Sequence, residues 1–344
     1  MIEIKLKPDA KILIIQLRRI GDVLLTTPAL RALRQKYPQA RIDFLVEKPG
    51  GEILLGNPNL NRLLIYDKRA RIAWIKKIRA EKYDLILDFM RNPRTTLITL
   101  LSGARHRVCF RKKWRDYACN IKVEPDPVSK YVPAFKLDLL KPLGVVNGDV
   151  SLDIKVLKGS EQTIGSWLAK EGVRENDRLV GISPTSRRAA RVWRKEGYAA
   201  IADMMIKKCG AKVIFLWGPG EEQKIDEIIG LMKEKTLKSP PTSISELVAL
   251  ISRLDLMITN DNGPMHMAQG LKIPNVVIFG PTQSVNWSEP GPQNITVKAD
   301  VPCLECDQRE CGTMTCMEQV TEAMVEDAIK KAGVKWDIPG SNVS

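Results

Sequence analysis

The sequence predicts an α/β protein made of two doubly wound domains. Three observations carry that reading. Apolar, β-rich runs alternate with amphipathic stretches along most of the chain. The runs are continuously apolar rather than alternating, as strands of a parallel sheet covered on both faces are. The whole rhythm also restarts near residue 155, and 344 residues are more than one ordinary core organises.

Taken in order, KILIIQL (11–17), RIDFLVE (41–47), RLLIYD (62–67) and DLILDF (84–89) read as strands, with RHRVCF (105–110) a weaker fifth. TPALRALRQKY, AWIKKIRAEK and TTLITLLSG between them have helical spacing. In the second half RLVGIS (178–183), AKVIFLW (211–217), LDLMIT (254–259) and NVVIFG (275–280) are the strands. GYAAIADMMIKKCG, EEQKIDEIIGLMK and SISELVALISR are the helices between them, the last with a serine cap and a glutamate in its first turn. LGVVNGDVSLDIKVLKG (143–159) reads as the connection, and EQVTEAMVEDAIKKAG as a final helix closed by Gly333. The expected organisation is an N-terminal domain over 1–157, a C-terminal domain over 158–317, and a helix and tail over 318–344 that packs back on the first domain.

Composition excludes several classes. No run of 18 apolar residues occurs, and MIEIKLKPDAK lacks the apolar core of a signal peptide, so a cytoplasmic protein is expected. Lysine and arginine outnumber acids by 54 to 40, a formal charge of +14 that favours anionic partners such as phosphorylated molecules or lipid headgroups. Seven cysteines without a secretory context read as thiols. The loop QLRRIGDVLLTTP holds one glycine, so it is neither a dinucleotide-binding G-x-G-x-x-G nor a Walker A loop.

Ligands of doubly wound sheets bind at the carboxyl ends of the strands, so four loops are informative. Asp22 follows the first strand; it is either a helix cap or a general base left in the loop by a helix starting at Thr27-Pro28. After RLVGIS, Ser183, Thr185 and Ser186 precede Arg187, Arg188, Arg191 and Arg194, a set of hydroxyls and cations suited to phosphate unless it is a solvated basic loop. Glu221 and Glu222 in WGPGEEQ either complement a helix dipole or accept the hydroxyls of a ribose. In NDNGPMHMAQG (260–270), Pro264 at the first helical position leaves the amides around Asp261, Asn262 and Gly263 available to an anion, and Gly263 permits close approach. His266 in that first turn is a phosphate or sugar contact, or a packing residue.

R-x-GD-V-L-L-T-T-P-A-L near the start and D-x-G-P-M-H-x-A near the three-quarter point resemble glycosyltransferase family 9, whose best-known members are the lipopolysaccharide heptosyltransferases. The resemblance runs from KILIIQLRRIGDVLLTTPALRAL to CLECDQRECGTMTCM. It implies the GT-B architecture, two Rossmann-like domains facing each other across a cleft, and inverting transfer of heptose from ADP-heptose to the lipid A-linked inner core. On that resemblance the base falls on Asp22. The donor contacts fall on positions 183–186, Arg191, Glu221 or Glu222, Asp261 to Gly263, and His266. This chain departs from the familiar pattern in a longer RRAARVW loop and in Asn262, where threonine is frequent.

No Asp-x-Asp pair occurs, so no metal-bound nucleotide of the GT-A kind is encoded; arginines and helix N-termini would supply the positive field, with no cofactor. The acceptor side belongs to the first domain, with Arg18, Arg91 and Arg94 as candidate contacts. Arg111, Lys112, Lys113 and Arg115 form a basic cluster suited to core phosphates or to peripheral contact with the anionic inner membrane; nucleic acid is not an expected partner. Two other readings stand beside this one. The same fold transfers a different sugar to another bacterial glycan, or Cys303, Cys306, Cys311 and Cys316, spaced C-x2-C-x4-C-x4-C, make a structural thiol site for a metal.

Overall fold

The computed structural model describes residues 3–146 and 148–333. They form two units that divide between Lys155 and Val156. In the first, β1 (Lys11–Ile15), β2 (Arg41–Val46), β3 (Arg62–Ile65), β4 (Leu85–Asp88), β5 (His106–Phe110) and β6 (Ile121–Val123) make one parallel sheet in the order β3-β2-β1-β4-β5-β6. The second contains β7 (Leu179–Ser183), β8 (Lys212–Phe215), β9 (Leu237–Lys238), β10 (Leu256–Asn260), β11 (Asn275–Ile278) and β12 (Asn294–Val297). Its order, β12-β11-β10-β7-β8-β9, is the same winding, again all parallel. Both sheets are thus doubly wound.

The central strands are buried along nearly their whole length, as their unbroken Ile, Leu and Val runs require. Sheet order reverses between β1 and β4 and between β7 and β10, where successive crossovers leave toward opposite faces and open a crevice at the carboxyl ends. Register fixes what meets there. Ser183 at the end of β7 lies beside Thr259 of β10, so the loops leaving the two strands begin at nearly the same height.

The elements absent from the sequence reading are short or weakly patterned. β6, β9 and β12 are edge-side strands of three, two and four residues, partly exposed. The helix Lys158–Lys170 occupies the end of the expected connection and buries only Ile164 and Leu168. A helix over Val132–Leu137, continued by a tight turn to Leu143, is interrupted by prolines at both ends of the segment. The last helix, Glu322–Lys331, packs on β11, β12 and the helix Lys195–Cys209 of its own unit; the tail expected to follow it lies outside the described residues.

A charged knot ties the amino ends of the first sheet together. Asp43 is fully buried and accepts from Arg41 at 2.8 Å, Arg62 at 3.0 Å and the Tyr83 hydroxyl at 2.6 Å. Both guanidinium groups also reach Glu81, at 2.6 and 2.7 Å. Hydrogen bonds from Arg62 and Arg41 hold the Glu81 carboxyl below its usual range. Its share of the stability is therefore in place at neutral pH and is lost as pH falls through that lowered folded value. Asp43→Ala removes a fully buried acceptor from Arg41, Arg62 and Tyr83, while Glu81 still pairs both partly exposed guanidiniums, and is expected to destabilise the first unit by about 2–3 kcal/mol, read from urea unfolding. A loss under 1 kcal/mol would show the knot to be incidental.

Candidate active site

At the switch point of the second sheet, side chains from two loops are sewn together. Asn262 caps the helix Gly263–Gly270: its Oδ1 accepts the Met265 amide at 3.1 Å and the Thr259 hydroxyl at 3.0 Å. Its Nδ2 donates to Ser183 Oγ at 3.0 Å and to the Thr185 carbonyl at 2.9 Å. A threonine here can cap the helix but has no amide to reach the neighbouring loop as well, so the departure at Asn262 has a structural role. Asn260, also buried, adds a second stitch. Its Nδ2 donates to the Pro184 carbonyl, while its Oδ1 accepts from the Tyr198 hydroxyl and the Trp193 amide.

Charge is organised around that seam. Arg191 pairs with the buried Asp261 at 2.7 Å, and Arg188 with Asp307 at 2.9 Å. The Ser186 hydroxyl donates to the Asp261 carbonyl at 3.4 Å. Glu221 accepts from the Thr185 hydroxyl at 2.7 Å and from the Gly218 amide at 2.9 Å, so one carboxylate oxygen links the loops after β7 and β8. Ser183, Thr185, Ser186, Arg191, Glu221, Asp261 and Asn262 therefore meet in one polar cluster. Glu222 does not join it: half-exposed, it pairs with Lys238 at 3.0 Å. Arg194 turns instead to Glu322 at 2.6 Å.

The helix start differs in detail from the sequence reading. It begins at Gly263, with Pro264 second. Pro264 has no N–H and the Met265 amide is taken by Asn262, so an anion would meet the Gly263 amide rather than a row of bare donors. Gly263 has no positive φ, and a Cβ placed on it would meet no atom within 4 Å. Its value is open space, not an unusual conformation. His266 is buried, its ring centre 6.2 Å from that of Trp287.

In the first unit Asp22 lies just past β1, at that sheet's switch point. It sits in a short helix, Ile20–Leu24, rather than in an open loop, and accepts the Arg19 amide at 3.3 Å. The helix Thr27–Lys36 follows it, as the Thr27-Pro28 pair predicts. Of the three arginines assigned to the acceptor, Arg91 is committed to the backbone at the end of β5. Its guanidinium lies over the Phe110 ring and donates to the Phe110 and Arg111 carbonyls. Arg94 pairs with Glu47 at 2.7 Å, and Arg18 is exposed. Asp88, buried at the end of β4, shapes the turn before Arg91 by accepting the Met90 and Arg91 amides; burial pushes its carboxyl up.

Sequence reasoning missed Asn260 and Lys136, the latter a buried amine behind the Asp22 turn. An Asn at the very end of an apolar strand, one residue before Asp261, is the signal that points to Asn260. Cys303 and Cys306 are exposed while Cys316 is buried, and among the described residues no group of three or more His, Cys, Asp or Glu is placed to hold a metal.

Two Rossmann-like units, one with a polar cluster and the other with a carboxylate at its switch point, are an architecture compatible with a glycosyltransferase. The chain belongs to glycosyltransferase family 9 (heptosyltransferase), which it matches over residues 71–317. It is 28% identical to lipopolysaccharide heptosyltransferase 3 of Escherichia coli K12, over 81% of this chain and 85% of that one. Its fold is that of a glycosyl transferase family 9 protein from Veillonella parvula (TM-score 0.85, 22% identity, 96% and 98% of the two chains). It also superposes on E. coli heptosyltransferase WaaC solved with ADP-2-deoxy-2-fluoro heptose (TM-score 0.70, 18% identity, 93% and 99% covered).

The two glutamates of the loop after β8 are expected to separate experimentally. Glu221→Gln removes a charged acceptor from two loops and should cost about 1–2 kcal/mol of stability, visible in thermal melts. Glu222→Gln, which loses only an exposed pair, should melt within about 0.5 kcal/mol of wild type. Equal losses would contradict the assignment of Glu221 to the seam.

Proposed function

We propose that this protein is an inverting, metal-independent heptosyltransferase that moves a heptose from ADP-heptose to the inner core of lipopolysaccharide. One observation carries the reading. The open approach to Gly263, at a helix start beside Ser183, Thr185, Ser186 and the paired Arg191, has the donors and positive field that a nucleotide diphosphate needs. The E. coli relative is named for heptosyl transfer to lipopolysaccharide, and the WaaC neighbour was solved with an ADP-heptose analogue, which supports the donor class.

In this mechanism Asp22 accepts the proton of the acceptor hydroxyl. That oxygen attacks the anomeric carbon from the face opposite the diphosphate, and the bond to the diphosphate oxygen breaks as the new glycosidic bond forms. The departing ADP carries negative charge, met by the Gly263 amide, the helix dipole and the arginines of the loop after β7. Within that loop, Arg188 and Arg191 are held by Asp307 and Asp261, which orients them before a donor arrives. No Asp-x-Asp pair supplies a nucleotide-bound cation, so the arginines take that role.

The acceptor is lipid-anchored, and the carboxyl edge of the first sheet suits a membrane surface. Trp114 is 84% exposed within Arg111, Lys112, Lys113 and Arg115, directly after β5. Exposed Ile72 follows Lys68, Arg69 and Arg71 after β3. Cations around exposed apolar side chains favour an anionic leaflet. No helix among the described residues is long and apolar enough to cross a membrane, so the proposed contact is peripheral, on the cytoplasmic face.

Two measurements test this function. Asp22→Asn should keep ADP affinity and lower turnover by about 10²-fold or more, the scale of losing a general base; near wild-type turnover removes Asp22 from the mechanism. Transfer should also continue in excess EDTA. Loss on chelation that magnesium or manganese restores would replace the arginine field with a metal.

A further inference from the structure

We infer that Lys136 is a positioning residue for the transfer step, its buried ammonium holding the Asp22 turn in place through the backbone of that turn. The inference rests on the reading of Asp22 as the base. Lys136 belongs to the helix Val132–Leu137 and is 6% exposed. Its Nζ donates to the Asp22 carbonyl at 2.6 Å, to Thr26 Oγ1 at 2.7 Å and to Gln16 Oε1 at 3.4 Å, using all three of its hydrogens. Gln16 in turn donates to the Arg18 carbonyl at 2.5 Å. One amine thus grips the chain at the exit from β1, inside the Asp22 helix and just beyond it. The Phe89 ring closes the site, 5.9 Å from Nζ.

Among the described residues no carboxylate is bonded to this ammonium. Asp138, two residues on, is engaged by Lys130 at 2.6 Å and Lys141 at 2.8 Å. On the helix Thr27–Lys36 packed against it, Arg31 turns to Asp149 and Asp153, and Arg34 to the Pro38 and Ala40 carbonyls and Asn61. Asp88 is occupied by the amides of its own turn. The acid whose charge bears on Lys136 is Asp22. Burying an ammonium without a bonded counter-ion opposes folding. The fold has little need of it here, because the Asp22 carbonyl already accepts from the Thr26 hydroxyl at 2.7 Å. A methionine would fill the same volume. A residue that costs stability while gripping the backbone of a proposed base fits a catalytic demand better than a packing one.

A pH dependence follows from the same surroundings. Burial, partly opposed by Asp22, lowers the Lys136 pKa to about 8. The three-donor, charged form therefore prevails below that pH and is lost as pH rises through it, so turnover should fall on the alkaline side.

The test compares kcat, the Michaelis constants, ADP affinity by calorimetry, thermal melts and the pH profile of wild type, Lys136→Met, Lys136→Arg and Asp22→Asn. Lys136→Met is expected to lose about tenfold or more in kcat, the scale of a misplaced catalytic group. It should keep wild-type ADP affinity, melt close to or above wild type, and lack the alkaline fall near pH 8. Lys136→Arg, whose guanidinium does not titrate in this range, should recover part of the rate and also lack that fall. Wild-type kcat and pH profile in Lys136→Met would overturn the inference, as would a joint collapse of melting temperature and ADP affinity, the mark of a merely structural residue. If Lys136→Met does not fold, the Lys136→Arg profile decides: a fall still near pH 8 overturns the inference. Asp22→Asn separates the two claims. Full activity there removes the base itself, whereas an inactive Asp22→Asn beside a fully active Lys136→Met removes only the role of Lys136.

Discussion

The Asn262 carboxamide is the interaction on which the second unit's site depends. Its oxygen closes a helix start and its nitrogen holds the neighbouring loop, so one planar group sets the spacing between Ser183, Thr185 and Gly263. Parallel pairing of β7 with β10 makes this possible, because Ser183 and Thr259 leave the sheet side by side. A doubly wound sheet provides the crevice there through its crossovers. The polar seam makes that crevice specific, presenting hydroxyls, an amide and paired arginines toward one region.

The first unit solves a related problem with a different device. Its switch point carries a carboxylate on a five-residue helix, too short to be rigid by its own hydrogen bonds. Further bonds reach it from Lys136 and Thr26, both to the Asp22 carbonyl, and Lys136 is bonded in turn to Gln16. In both units the carboxyl edge of the sheet carries buried polar contacts, while the strands behind it are apolar. Such contacts are directional, and each missing partner is costly in a low-dielectric interior.

Much of this was legible in the amino-acid order. Continuous apolar strands revealed two parallel sheets because no other arrangement buries both faces of so many of them. The Ser243–Glu246 capping box is where it was expected, and the Asn-Gly-Pro turn marked a helix start that falls one residue earlier than read, at Gly263. Three of the four edge strands, β6, β9 and β12, were not legible, since they are short and partly exposed. Tertiary pairing also decided roles that local pattern left open. Glu221 and Glu222 are neighbours in sequence, yet one serves the seam and the other a surface lysine. Lys136, in the apolar run VPAFKLDLL, gave no local sign of being buried, because its partners lie 110 to 120 residues away. The four clustered cysteines differ in exposure, two exposed, one intermediate and one buried, which their spacing alone did not reveal.

The central claim is that the start of the helix at Gly263 receives the donor diphosphate, and the open space beside that residue makes the claim directly measurable. Gly263→Val adds atoms where none stand and imposes no positive φ, so the fold should survive. Calorimetric titration of ADP into this variant, alongside its thermal melt, is the decisive experiment. The account predicts an unchanged melting temperature with ADP affinity lowered about tenfold or more, equivalent to about 1.4 kcal/mol. Wild-type ADP affinity in a folded Gly263→Val protein would contradict it, because the diphosphate would then lie elsewhere.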